Sequence, residues 1–164
     1  MSFTSRKRDM KREVLSAWFD HVLGTYPAAS AKAISGNSNQ FANPVGNTLN
    51  ESLSVLFDEL REEADLERAG KALDSIIRIR AVQDFTASGA VGFVVALKGI
   101  MRQVLGEDAG TPAEWRELDQ RVDSMMLAAF YIYNECRKAI YEIRAEEVKR
   151  QVHMLLKKAG AVQE

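Results

Sequence analysis

From Ala113 to Ala159 the sequence contains neither glycine nor proline. An uninterrupted helix over that stretch would extend about 70 Å, at about 1.5 Å per residue. A compact domain of this length has a radius of gyration of only about 15 Å. Either the helix breaks, or its end leaves the domain. The apolar positions point to a change of neighbour along the way. Leu118, Val122, Met125, Ala129, Ile132, Cys136, Ile140 and Ile143 form one stripe, and Tyr141, Ala145, Val148, Val152, Leu155 and Ala159 follow at heptad spacing. The second set spans fewer heptads than a sustained coiled coil. Two readings stand side by side: a terminal helix packed on its own domain, and a helix for self-association with Tyr141, Val148, Val152 and Leu155 at the interface.

The rest of the chain reads as shorter helices. Met10, Val14, Leu15, Trp18, Phe19, Val22 and Leu23 recur at helical spacing until Gly24. Tyr26 to Asn43, rich in Ala, Ser and Asn, predicts at most a short helix opening at Pro27, then a loop carrying Phe41. Asn43-Pro44-Val45-Gly46 reads as a turn, and Thr48 with Glu51 has the spacing of a capping box at the start of a helix. That helix carries Leu49, Leu53, Leu56, Phe57 and Leu60, and the next carries Leu66, Ala69, Leu73, Ile76 and Ile77. Ala90 to Leu105 is apolar on every face in its first half, which predicts the most buried helix, with Gly89, Gly92 and Gly99 explained by close backbone packing. Thr111-Pro112-Ala113-Glu114 combines an N-cap, a first-turn proline and a capping glutamate, the clearest helix start in the chain. Sustained period-two alternation is absent, so the expectation is one all-α domain, residues 1–164, of five or six helices with a long C-terminal one.

Composition narrows the function class without naming it. Against 22 basic residues stand 23 acidic ones, so no global charge advertises nucleic acid or an anionic membrane. The basic run Arg6, Lys7, Arg8, Lys11 and Arg12 is interrupted by Asp9 and Glu13 and reads as a solvated helix face. The longest apolar runs, Gly89–Leu97 and Met125–Tyr133, fall well short of the roughly 18 residues of a membrane span. The single cysteine and the lack of a secretory core point to the cytoplasm.

Chemistry finds little foothold. The two histidines, His21 and His153, lie near opposite ends, so no histidine in a middle helix could ligate haem, and no glutamate precedes either histidine by three residues as a di-iron bundle requires. No cofactor or metal is expected, and no nucleophile, base and orienting group assemble into an enzyme. Cys136 has two readings, a buried inert thiol or a redox thiol whose pKa is lowered by Arg137 or Lys138. Met125, Met126, Phe130, Tyr131 and Tyr133 would line either a core or a ligand cavity. Arg80, on the edge of the Ile76–Ile77 stripe, needs a counter-charge there; Asp84 at i+4 is the nearest, with Glu135 and Glu142 as others, and a ligand contact is the competing reading.

Five segments in order carry a resemblance: Trp18 with Tyr26-Pro27; Phe41-Ala42-Asn43-Pro44-Val45-Gly46; Ile76-Ile77-Arg78-Ile79-Arg80-Ala81-Val82-Gln83-Asp84-Phe85; Ala90-Val91-Gly92-Phe93; and Cys136-Arg137 with Ile140-Tyr141-Glu142-Ile143-Arg144. Together they resemble the RsbRD-type N-terminal domain across nearly the whole chain. The resemblance implies a globin-like, non-haem sensor domain of bacterial signalling and stress response, related to the input domains of co-antagonists of the RsbT kinase, and dimeric through its terminal helices. It transfers no catalytic or binding residue. The sequence stops at Glu164, with no room for a STAS or kinase output domain, so output through an unidentified protein partner is expected. The competing reading is a globin-like carrier of a small apolar or tetrapyrrole ligand held without histidine.

Overall fold

The computed structural model describes residues 3–36, 41–60, 65–83 and 85–160, with side chains from Met10 onward. Among these residues every regular element is helical: α1 (Phe3–Gly24), α2 (Ala28–Ser35), α3 (Pro44–Asp58), α4 (Leu66–Val82), α5 (Ala87–Leu105), a 3-10 turn (Glu107–Ala109) and α6 (Pro112–Lys158). The all-α class and the long C-terminal helix follow the hydrophobic spacing of the sequence.

The helices begin where short polar side chains take up orphan backbone donors. Thr111 and Glu114 form the expected capping box at the head of α6, and the Asp65 carboxylate accepts from the backbone of Glu67 and Arg68 to start α4. One start differs from expectation. Asn43 caps α3 by accepting from Gly46 N at 3.0 Å, and Pro44 occupies the first turn. Thr48 and Glu51 therefore lie inside the helix, and the Asn43–Gly46 segment is its opening rather than a separate turn. The Asn43 amide also donates to the Ile34 carbonyl, which leaves no room for a side chain at Gly46.

Five helices supply most of the core, and α2 adds Ile34. Val14, Trp18 and Val22 of α1 meet Leu49, Leu53 and Leu56 of α3, Leu73, Ile76 and Ile77 of α4, Phe93 and Leu97 of α5, and Val122 and Ala129 of α6. α5 packs against α1 and α6, and α4 against α3 and α6. The Trp18 indole donates to the Phe93 carbonyl at 2.7 Å, satisfying a polar group that burial would otherwise leave costly.

Three details of the hydrophobic pattern depart from the sequence reading. α5 is not wrapped on all sides: Val95 is exposed, so a face of this helix is open. By length and composition α5 alone among the described helices could cross a membrane, yet Ala90, Val91, Phe93, Val94, Leu97 and Met101 are buried as in a core helix. Gly92 and Gly99 face open space, so close packing does not account for them. Leu66 is exposed, because it sits in the first turn of α4, before that helix reaches the core.

Candidate functional site

Arg80 is the one charged side chain with no exposed surface among the described residues. Three segments hold it. Nη1 donates to the Gly89 carbonyl at 2.8 Å, and Nη2 to Thr25 Oγ1 at 2.9 Å and, more weakly, to the Val22 carbonyl at 3.5 Å. The Val22 and Thr25 contacts place the cation at the C-terminal end of α1, where the helix dipole favours positive charge. The rings of Tyr26, Phe85 and Phe93 surround the guanidinium at 4.8–5.2 Å from their centroids.

No carboxylate pairs with Arg80 among the described residues. Glu135 and Glu142 are exposed on α6, and Asp84 lies outside the described residues. Among the described residues the cation is solvated by carbonyl dipoles, one hydroxyl and three ring faces. Burial lowers the arginine pKa, with the Tyr26 hydroxyl opposing that shift. Burial also pushes the Tyr26 hydroxyl upward, against the pull of Arg80. Arg80 Nε and the Tyr26 hydroxyl are the buried side-chain polar atoms left without a hydrogen-bond partner among the described residues.

Cys136 is buried against the domain. Burial pushes its thiol above the ordinary value; Arg78 pulls the other way, while Asp74 and Glu135 add to the rise. Arg137, beside it, donates to the Ala81 carbonyl at 3.1 Å and to the Tyr141 hydroxyl at 3.0 Å. An open cleft at the opposite end of α5 is lined by Arg102, Asp108 and Trp115, but its cation is already engaged by Asp119 and stacked on the indole. From the N-terminal basic run, Lys11 pairs with Asp58 at 2.8 Å; the side chains of Arg6, Lys7 and Arg8 lie outside the described residues.

α6 presents two apolar faces. The first, with Trp115, Leu118, Val122, Met125, Ala129, Tyr133 and Cys136, is buried against the domain, and the Tyr133 hydroxyl reaches the Phe85 carbonyl at 2.7 Å. On the opposite face Leu127, Phe130 and Tyr131 are 71%, 45% and 66% exposed, with Val95 of α5 also open to solvent. The methionine and aromatic cluster therefore splits: Met125 and Tyr133 are core, whereas Phe130 and Tyr131 face outward. It lines no single cavity.

Beyond Ile140 the helix continues unbroken and every residue from Tyr141 to Lys158 is exposed. The terminal stripe is thus not packed on its own domain. Ile143, grouped by spacing with the domain-facing set, is exposed because the domain ends before it. Tyr141, Val148, Val152 and Leu155 all present their side chains to solvent on this projecting segment. Leu127, Phe130 and Tyr131 were not singled out as outward-facing by sequence. The signal was present, since the spacing 127-131-134-138-141 carries the terminal heptad backward without a break.

No curated protein and no solved structure matches the chain. The family model for the RsbT co-antagonist protein rsbRD N-terminal domain matches residues 12–148, from within α1 through α5 and on into the exposed part of α6. The chain therefore belongs to the rsbRD N-terminal domain family, a family of regulatory signalling domains.

Proposed function

We propose that the protein is a non-enzymatic, cytoplasmic sensory or regulatory module, a non-haem globin-like homodimer that joins through α6 and acts on another signalling protein. The observation that carries this reading is the outer face of α6. Exposed apolar side chains that recur along one face mark interaction sites. Leu127, Phe130 and Tyr131, then Tyr141, Val148, Val152 and Leu155, are exposed along one long helix. Family membership supports a signalling role. His21 and His153 are both exposed, His21 on the solvent side of α1 and His153 on the projecting end of α6, which supports a non-haem scaffold. Burial of Cys136 and its raised thiol pKa support the inert reading of that residue.

In this mechanism a ligand or partner biases two arrangements of the paired helices, and it shifts that balance only by its differential affinity for the two. The test is Val152→Glu combined with Leu155→Glu. Light scattering on the parent is expected to give twice the mass of the chain, and the double variant half of that, with unchanged helical circular dichroism. A double variant that keeps the parent mass overturns the α6 interface. A Soret band on the freshly purified parent would overturn the non-haem assignment.

A further inference from the structure

We infer that α6 pairs with a second copy of itself in parallel and in register, and that Asn134 sets this direction. The inference rests on the homodimer reading above and adds what that reading leaves open. Leu127, Tyr131, Asn134, Lys138, Tyr141, Ala145, Val148, Val152 and Leu155 follow one another at alternating steps of four and three residues. All nine are exposed. The stripe runs through roughly four heptads, enough to sustain a two-stranded seam. It lies opposite the face that Ala129, Tyr133 and Cys136 bury in the domain and is exposed along its whole length, with Arg137 resting on the Tyr141 ring and hydroxyl.

Two polar residues interrupt the stripe, and they decide the direction. In a parallel, in-register pair each layer meets its own copy, so apolar faces apolar throughout. Asn134 then meets Asn134 of the second copy, and each amide offers both a donor and an acceptor to the other. Lys138 meets Lys138, but its four-carbon stem carries the ammonium outward to water beside Glu135 and Glu142. An antiparallel pair that matches Asn134 with Lys138 sets Val148, Val152 and Leu155 against Ser124, Gln120 and Glu117. Matching Asn134 with Tyr131 likewise sets Tyr141, Ala145 and Val148 against Ser124, Gln120 and Glu117, and the remaining antiparallel registers set Asn134 against Ala145, Val152 or Ala159, where its amide has no partner and its desolvation is uncompensated. A polar asparagine or lysine in a heptad seam is a known means of fixing register and strand number at a cost in stability, and this seam holds one of each. Flanking charges do not choose: parallel pairing brings Arg137 near Glu142 of the second copy, but also Arg144 near Lys149.

Leu155→Cys in a Cys136→Ala background tests the direction, with mild oxidation followed by a non-reducing gel and light scattering on the unoxidised sample. Parallel pairing places the two introduced thiols together, so most of the chain is expected to run as a disulfide-linked dimer. Antiparallel pairing separates them by more than about 20 Å along the helix. A dimeric mass without the crosslink overturns parallel pairing while leaving the homodimer in place, and a monomeric mass overturns the homodimer itself. Adding Asn134→Val is expected to lower the crosslink yield at least twofold or to raise the mass above a dimer. Full crosslinking at an unchanged dimeric mass would overturn the role of Asn134.

Discussion

Arg80 of α4 donates to the Gly89 carbonyl at the head of α5 across 2.8 Å, and through its second amino group reaches Thr25 at the end of α1. One buried side chain thereby fixes the relative position of three helix ends. Removing it leaves a large void and unpairs two acceptors, so Arg80→Ala is expected to cost about 3 kcal/mol or more. Arg80→Met fills much of the volume and has no charge to desolvate, and should recover at least half of that loss. Urea midpoints at constant m-value measure both. An alanine variant as stable as the parent would show that the guanidinium holds nothing.

Two glycines separate packing from propensity. A methyl group at Gly46 would collide with the Asn43 amide and the Ile34 carbonyl. Gly46→Ala should therefore destabilise by about 1–3 kcal/mol through forced displacement of the α3 cap. Gly99 is exposed in mid-α5 with open space around it. Gly99→Ala should stabilise by about 0.5–1 kcal/mol, because alanine loses less backbone entropy in a helix. Thermal melts of both variants check the opposite signs.

Arg102 and Asp119 tie α5 to α6 through two hydrogen bonds of 2.8 and 3.1 Å. The Arg102 guanidinium holds the Asp119 carboxyl below its ordinary range, outweighing the opposite effect of burial. A depressed folded-state pKa contributes stability that is present above the unfolded value, about 3.9 for aspartate, and is lost as pH falls through the folded one. Both side chains remain more than a quarter exposed, which limits the contribution to about 1 kcal/mol. Asp119→Asn should lower stability at pH 6 and show a shallower loss between pH 4 and 2 than the parent, read by urea titration at each pH.

Much of the fold was legible because hydrophobic spacing and capping residues act locally. The Thr111 capping box and the uninterrupted α6 both follow from neighbours in the sequence. The start of α3 was misplaced because two overlapping local signals competed, and the long-range contact from Asn43 to Ile34 decided between them. Arg80 was recognised as an anomaly on an apolar stripe. Its solution was not readable, since the rings and carbonyls that surround it come from Tyr26, Phe85, Gly89 and Phe93, brought together only by tertiary packing. Helical periodicity assigns a residue to a face but does not say where the neighbouring domain ends. That is why Ile143 was grouped with the buried set.

The segment of α6 from Tyr141 to Lys158 stands clear of the helices that anchor its root. As a helix it is a stiff rod of about 27 Å. A tilt of about 10° at Ile140 would carry its tip through about 5 Å, comparable to one helical turn. Small adjustments where α6 leaves the core are thus geometrically amplified with distance, so the tip is where a change inside the domain is largest and easiest for another molecule to detect.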